Sequence, residues 1–315
     1  MSTQPGTVIG DDVQEALRAG TPVVALESTI IAHGLPRPRN HEVALELGRL
    51  LRDDGVVPAT VAVIDGVPRV GVTASELERI AFSDDVPKAS VRDLPIAAAR
   101  GRCGATTVAA TAHLAARAGL RVFATGGLGG VHREARTSWD ESADLGTLSR
   151  TRITVVCAGV KSILDIPATL ERLETASVSV VGYRTSRFPG FYLSDSGYDI
   201  DWSVDGPEEI AAAMDAQARL ETGALIVANP LPLGEQLDPA LHDRALDESL
   251  AAAEAAGVRG KRVTPFLLDY LQRATDGESL EANIRAVRNN VRLGGAVART
   301  WAEREGGGVS DSRYR

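Results

Sequence analysis

Short, almost wholly apolar runs alternate with longer segments of helical periodicity along nearly the whole chain, and that rhythm leaves few folds open. The runs PVVALEST (22–29), RVFATGG (121–127), ITVVCAG (153–159), VSVVGYR (178–184) and ALIVANP (224–230) are continuous in hydrophobicity. Strands buried on both faces read this way, whereas half-exposed strands alternate. Segments 11–20, 41–55, 73–82, 104–119, 161–175, 206–223, 238–257 and 279–305 read as helices. ATVAVIDG and VPRVGV, broken at Gly66, read as a hairpin or bulged pair, which adds an antiparallel step. The pattern predicts a three-layer α/β/α fold with a central mixed, largely parallel sheet. It is expected as one domain over 10–303, followed by a disordered tail, 304–315.

Composition removes whole classes of function. The chain has 315 residues, 44% of them hydrophobic, enough for a large core. Its net charge of −8 comes without a basic cluster, which disfavours a nucleic-acid partner and leaves room only for a local pocket that takes one phosphate. No apolar run approaches the ~18 residues of a spanning helix, and MSTQPGTVIGDD lacks the regions of a signal peptide, so no membrane partner and a cytoplasmic location are expected. Cys103 and Cys157 lie in apolar or Gly/Ala surroundings and are expected to be reduced, packed thiols.

Of the 34 basic residues only Lys88, Lys161 and Lys261 are lysine, the rest being arginine. A guanidinium stays protonated, whereas a buried amine can become neutral and attack a carbonyl carbon. The three lysines are therefore the places to look for amine chemistry or for a compact point charge. Lys261, in the polar turn GVRGKRVT, reads as a surface residue. Lys161 ends the apolar run TVVCAGV and is expected in the first turn of a helix, where burial and the positive end of the helix dipole both favour the neutral amine.

In sheets of this kind ligands gather beyond the carboxyl ends of the strands. Four such ends carry polar residues: Glu27-Ser28-Thr29, the run Gly126-Gly127-Leu128-Gly129-Gly130 with His132, Lys161-Ser162, and Asn229-Pro230. They are expected to converge on one crevice. GGLGG matches neither the dinucleotide fingerprint nor a phosphate-binding loop ending in Gly-Lys-Ser/Thr. Glu27 directly follows an apolar strand, so its carboxyl should titrate high enough to donate a proton near neutral pH. Asp140, beside Glu141 and close to Asp144, offers oxygens for a hydrated divalent cation. The residues alone leave bland alternatives open: a snorkelling lysine, a solvated glutamate and an aspartate that caps a helix. His33 and His132 are assigned no role.

Taken together, VVALESTIIAHGLPRPRN, VPATVAVIDG, KASVRDLP, GATTVAA, VFATGGLGGVHR, WDESADL, VVCAGVKSILD, VANPLP and TPFLL resemble the pseudouridine-5'-phosphate glycosidase family over about 13–298. The resemblance implies an indigoidine synthase A-like α/β/α fold, a homotrimer and one manganese ion per subunit. It also implies reversible cleavage of the C–C glycosidic bond of pseudouridine 5'-phosphate to uracil and ribose 5-phosphate. Carried over by position, it makes Lys161 the Schiff-base nucleophile, Glu27 the proton donor and Asp140 the metal-binding residue. Substrate contacts fall on Lys88, Val108, Ser142, Ala143, Asp144 and Asn283. Departures are confined mainly to neighbours such as Trp139 and Glu141, which bear on metal preference. Two other readings use the same residues: a Schiff-base, aldolase-like lyase acting on another sugar phosphate, and a non-catalytic sugar-phosphate-binding protein.

Overall fold

The computed structural model describes residues 6–307. Eleven strands are present among them: β1 Val8–Ile9, β2 Val23–Leu26, β3 Val57–Ile64, β4 Val67–Val70, β5 Lys88–Ala89, β6 Gly104–Thr106, β7 Val122–Ala124, β8 Thr154–Cys157, β9 Ser179–Tyr183, β10 Ser203–Val204 and β11 Leu225–Ala228. The main path runs β1-β4-β3-β2-β7-β8-β11-β9-β10, with β6 pairing to β3 and β5. Every pair is parallel except β3 with β4 and β3 with β6, so the sheet is mixed and largely parallel, as expected. The β3–β4 hairpin turns on Asp65 and Gly66, both with positive φ (48° and 81°), the conformation that a two-residue turn between twisted strands requires.

Side chains along each central strand alternate between two separate cores. Val23, Ala25, Phe123, Val155, Cys157, Ile226 and Ala228 join one, while Val24, Leu26, Val122, Ala124, Val156, Leu225 and Val227 join the other. This is why the runs read as continuously apolar: both faces are covered. Helices Val108–Arg117, Ile166–Thr175 and Pro239–Ala255 pack on the first face, and Arg39–Asp53, Pro207–Leu220 and Glu278–Gly307 on the second. Cys103 and Cys157 are buried free thiols, and burial pushes the Cys157 thiol up to about 12, so it is chemically quiet.

Four boundaries differ from expectation. Segment 104–119 is not one helix: Gly104–Thr106 is captured by β3 and β5, and the helix starts only at Val108, capped by the Thr107 hydroxyl that accepts from Ala110 N–H. Segment 161–175 becomes helical only at Ile166, because Asp165 caps it through Ala168 N–H and Pro167 belongs to its first turn. Val263–Ala274 forms a further helix, containing TPFLL, that the periodicity did not separate. The last helix continues through Gly307, past the expected boundary at 303, and the remainder of the expected tail lies outside the described residues, as does the side chain of Lys261. No helix among the described residues is long and apolar enough to cross a membrane.

Candidate active site

Glu27 follows β2 directly, the glycine run follows β7, and Lys161 lies four residues beyond the end of β8. Because β2, β7 and β8 are neighbours in the sheet, their carboxyl ends open onto one cavity of about 390 Å³. All nine residues anticipated for the site line it: Glu27, Lys88, Val108, Asp140, Ser142, Ala143, Asp144, Lys161 and Asn283. Thr29, His33, Ser90, Arg92, Thr107, His132, Phe191 and Thr264 line it as well; Thr29 and His132 were expected at the strand ends that meet there, and Ser90, Arg92, Thr107, Phe191 and Thr264 were not read from sequence. Size alone does not mark the site. A concavity of about 470 Å³ at the amino ends of the strands is lined by Arg117, Arg121, Arg150 and Arg152 and contains no lysine.

The fourth strand end does not contribute to the cavity. Asn229 is buried, and its amide donates to Asn290 Oδ1 at 3.0 Å; Asn290 in turn donates to the carbonyls of Thr125 (2.7 Å) and Gly126 (3.2 Å). The expected convergence of four ends is thus three. Asn290 ties the final helix to the start of the glycine run, and Asn229 orients its amide from behind.

Lys161 is not at a helix N-terminus, contrary to expectation, so no helix dipole acts on it from its own segment. Beyond β8 the chain turns at Gly159 (φ 84°), and an added Cβ there would lie 3.1 Å from Pro189 C. Val160 then bridges Leu128: Leu128 N–H donates to Gly159 O (2.9 Å) and Lys161 N–H to Leu128 O (3.1 Å). The glycine run and the lysine segment therefore extend β7 and β8 side by side. Lys161 Nζ, half-buried, donates to Gly127 O at 2.8 Å. A Cβ on Gly127 would meet the Phe191 ring at 2.5 Å, and one on Gly129 would lie 2.8 Å from Asp144 Oδ2. Gly129→Ala is expected to destabilise the protein by about 1–3 kcal/mol. It should also lower turnover, a loss that thermal melting alongside kinetics would detect.

Glu27 is held by the Thr125 hydroxyl, which donates to Oε1. The turn that follows it is fixed by Thr106 N–H donating to Ser28 Oγ (2.8 Å) and by Thr29 Oγ1 donating to Thr106 O (2.8 Å). Burial raises the Glu27 carboxyl above the ordinary carboxylate range; Lys161 and then the Thr125 hydrogen bond oppose that rise without cancelling it. Lys88 keeps a solvent-facing surface, yet protein surrounds its ammonium closely. Burial first, and the Lys161 charge second, hold it below the usual amine range. His33 is likewise lowered by burial and then by Lys88, and its Nε2 donates to Val86 O at 2.8 Å, so the neutral ring keeps its lone pair on Nδ1.

The acidic cluster separates into different tasks. Asp144 Oδ1 accepts from Ala109 N–H (2.9 Å) and Oδ2 from Gly129 N–H (2.8 Å), which clamps the start of helix Val108–Arg117 to the glycine run. Glu141 is paired with Arg172 at 3.0 Å. Asp140 is the member left to a ligand, half-buried, with His132 Nδ1 4.0 Å from its Oδ2. Val108 and Ala143 are the first residues of their helices, placing backbone N–H groups at the cavity wall.

Comparison with known proteins identifies relatives over nearly the whole chain. The model of the family described as indigoidine synthase A like protein matches residues 12–300. A protein of Frankia alni named pseudouridine-5'-phosphate glycosidase is 61% identical over 306 residues, covering 97% of this chain and 85% of its own. A protein of the same name from Salinispora tropica is 61% identical over 298 residues, covering 94% and 92%. Among solved structures, a prealnumycin C-glycosynthase in complex with ribulose 5-phosphate superposes with a TM-score of 0.88 at 35% identity, covering 95% of this chain and 98% of its own.

Proposed function

The chain belongs to the indigoidine synthase A-like family, and from that premise we propose that it cleaves the C1'–C5 bond of pseudouridine 5'-phosphate, reversibly, to uracil and ribose 5-phosphate. The observation that carries this reading is the meeting of the Lys161 amine and the high-titrating Glu27 carboxyl in one cavity, in a chain 61% identical to proteins bearing that activity as their name. The ribulose 5-phosphate held by the C-glycosynthase relative supports a pentose phosphate as the ligand class.

The chemistry requires this pair. Carbon C5 of uracil cannot depart as an ordinary leaving oxygen, so two carboxylates alone would not suffice. The uracil N1 lone pair pushes toward C1' as the C1'–O4' bond breaks, and O4' takes the Glu27 proton. Lys161 Nζ adds to C1', restoring the uracil ring, and passes a proton back to Glu27. Glu27 then protonates C5 while the nitrogen lone pair forms C1'=N and the C1'–C5 electrons return to the uracil ring. Water adds to the imine, releasing ribose 5-phosphate and freeing the amine. Lys88, with the backbone donors at the start of helix Val108–Arg117, is assigned to the phosphate. Incubation with pseudouridine 5'-phosphate should release uracil and ribose 5-phosphate in equal amounts; absence of uracil would overturn the reading.

A manganese ion at Asp140 belongs to the same proposal. Among the described residues no three His, Cys, Asp or Glu side chains converge as a metal cage. With Glu141 and Asp144 engaged elsewhere, the donor set suits a hard cation that keeps most of its waters, held by the Asp140 carboxylate. Such an ion supplies positive charge and bound water at the cavity wall. Asp140→Asn should weaken Mn(II) binding, read by electron paramagnetic resonance, and lower turnover by at least about tenfold. Full turnover in the presence of a chelator would contradict the assignment. A homotrimeric, cytoplasmic enzyme is inferred on the strength of the sequence resemblance, and sedimentation would read the assembly.

A further inference from the structure

We propose that His242 is a positioning residue for Lys161, acting through Ser162, so that a helix outside the substrate cavity sets where the amine stands. The inference rests on the lysine-imine reading above. Lys161 and Ser162 are consecutive, but they face different cavities: Lys161 the substrate cavity, Ser162 a second one of about 440 Å³ that Arg133, His242 and Asp243 also line. No residue of helix Pro239–Ala255 lines the substrate cavity. That helix nevertheless delivers His242, whose Nε2 is 2.9 Å from Ser162 Oγ and whose Nδ1 is 3.0 Å from Asp243 Oδ1.

The carboxylate only accepts, so Nδ1 carries a proton, and a neutral ring then takes the Ser162 O–H on Nε2. The polarity is that of an activated serine. Ser162 and His242 are each 4% exposed, and the hydroxyl is turned to the imidazole and away from the substrate cavity. What remains for the pair is mechanical. Residues 161–165 belong to neither strand nor helix, and upstream of them Lys161 is held by its bridge to Leu128. Downstream, two backbone bonds close the turn, Leu164 N–H to Lys161 O (2.9 Å) and Asp165 N–H to Val131 O (2.9 Å), and side chains fix the residues between them: His242 on the Ser162 hydroxyl, and Arg133 donating to the carbonyls of Ser162 (3.1 Å) and Ile163 (3.3 Å). Tyr192, adjacent to the cavity residue Phe191, lies with its ring centroid 6.2 Å from that of His242 and closes the imidazole on another side.

Without His242 the Ser162 end of the turn can shift while Lys88 and the start of helix Val108–Arg117, assigned to the phosphate, stay in place. A misplacement of about 1 Å can cost on the order of 100-fold in rate. His242→Ala and the milder Ser162→Ala are each expected to lower kcat, and the rate of borohydride-trapped adduct formation with ribose 5-phosphate, by about 10- to 100-fold. KM should stay within about twofold, since binding groups are untouched; His242→Ala should melt lower because it empties a buried site, so rates are compared at a temperature where each variant is fully folded. His242→Gln, whose amide oxygen can still accept the serine proton, should recover most of the rate. Unchanged kcat in both alanine variants, or a loss that appears in KM alone or is not recovered by glutamine, would overturn the proposal with the reaction assignment intact. A wild-type protein that neither releases uracil nor traps the sugar would overturn the reaction assignment and this inference together.

Discussion

Lys161→Arg should yield a folded protein that binds the sugar phosphate and does not turn it over. The substitution keeps a cation able to donate to Gly127 O and to face Glu27, so the electrostatics of the cavity survive. It removes only the capacity to become a neutral nucleophile, because a guanidinium stays protonated. Loss of a covalent catalyst is expected to cost on the order of 10⁴-fold or more in kcat. Affinity for ribose 5-phosphate, read by calorimetry, should change only a few-fold. The same variant separates enzyme from sensor: a protein that merely binds a sugar phosphate would lose nothing measurable in any rate. Turnover within tenfold of wild type would remove Lys161 from the chemistry.

Glu27→Gln is the second large effect, with a loss of about 10²–10⁴-fold expected for removal of a general acid. For the wild type, kcat/KM should be high where Glu27 is protonated and fall as pH rises through its raised pKa. The stability effect runs the opposite way to the catalytic one. A carboxyl whose folded-state pKa lies above its unfolded value favours folding below the ordinary value of 4.5, and loses that contribution as pH rises through the folded pKa. The glutamine variant has no such loss. It should therefore melt higher than wild type above that pKa and lose its advantage as pH falls toward 4.5. A variant less stable at every pH would indicate that the Thr125 hydrogen bond, not desolvation, dominates at Glu27.

Much of the framework was legible because it depends on local pattern. Apolar continuity in PVVALEST and ITVVCAG requires two covered faces, and the two cores supply them. Asp65-Gly66 announced the antiparallel step. The scarcity of lysine singled out Lys88 and Lys161, and both line the cavity.

Expectations failed where distant partners decide. The helix after Lys161 begins late because the glycine run, some 30 residues upstream, bridges Val160 and takes the Lys161 N–H, which holds that segment out of the helix. Asn229 looked like a site residue until Asn290, on the last helix, claimed its amide. Spacing alone did not show what engages the neighbours of Asp140, yet Arg172 takes Glu141 and the amides of Ala109 and Gly129 take Asp144. His242 carried no local signal at all, since its partner Ser162 lies 80 residues away. Each case is a side chain satisfied by a group that only the folded topology brings near.

The most direct measurement is mass spectrometry of peptides from protein incubated with pseudouridine 5'-phosphate and borohydride. A reduced pentose phosphate attached to the peptide that contains Lys161, together with release of uracil, is the predicted result. An unmodified Lys161 peptide from protein that still releases uracil would contradict the imine mechanism.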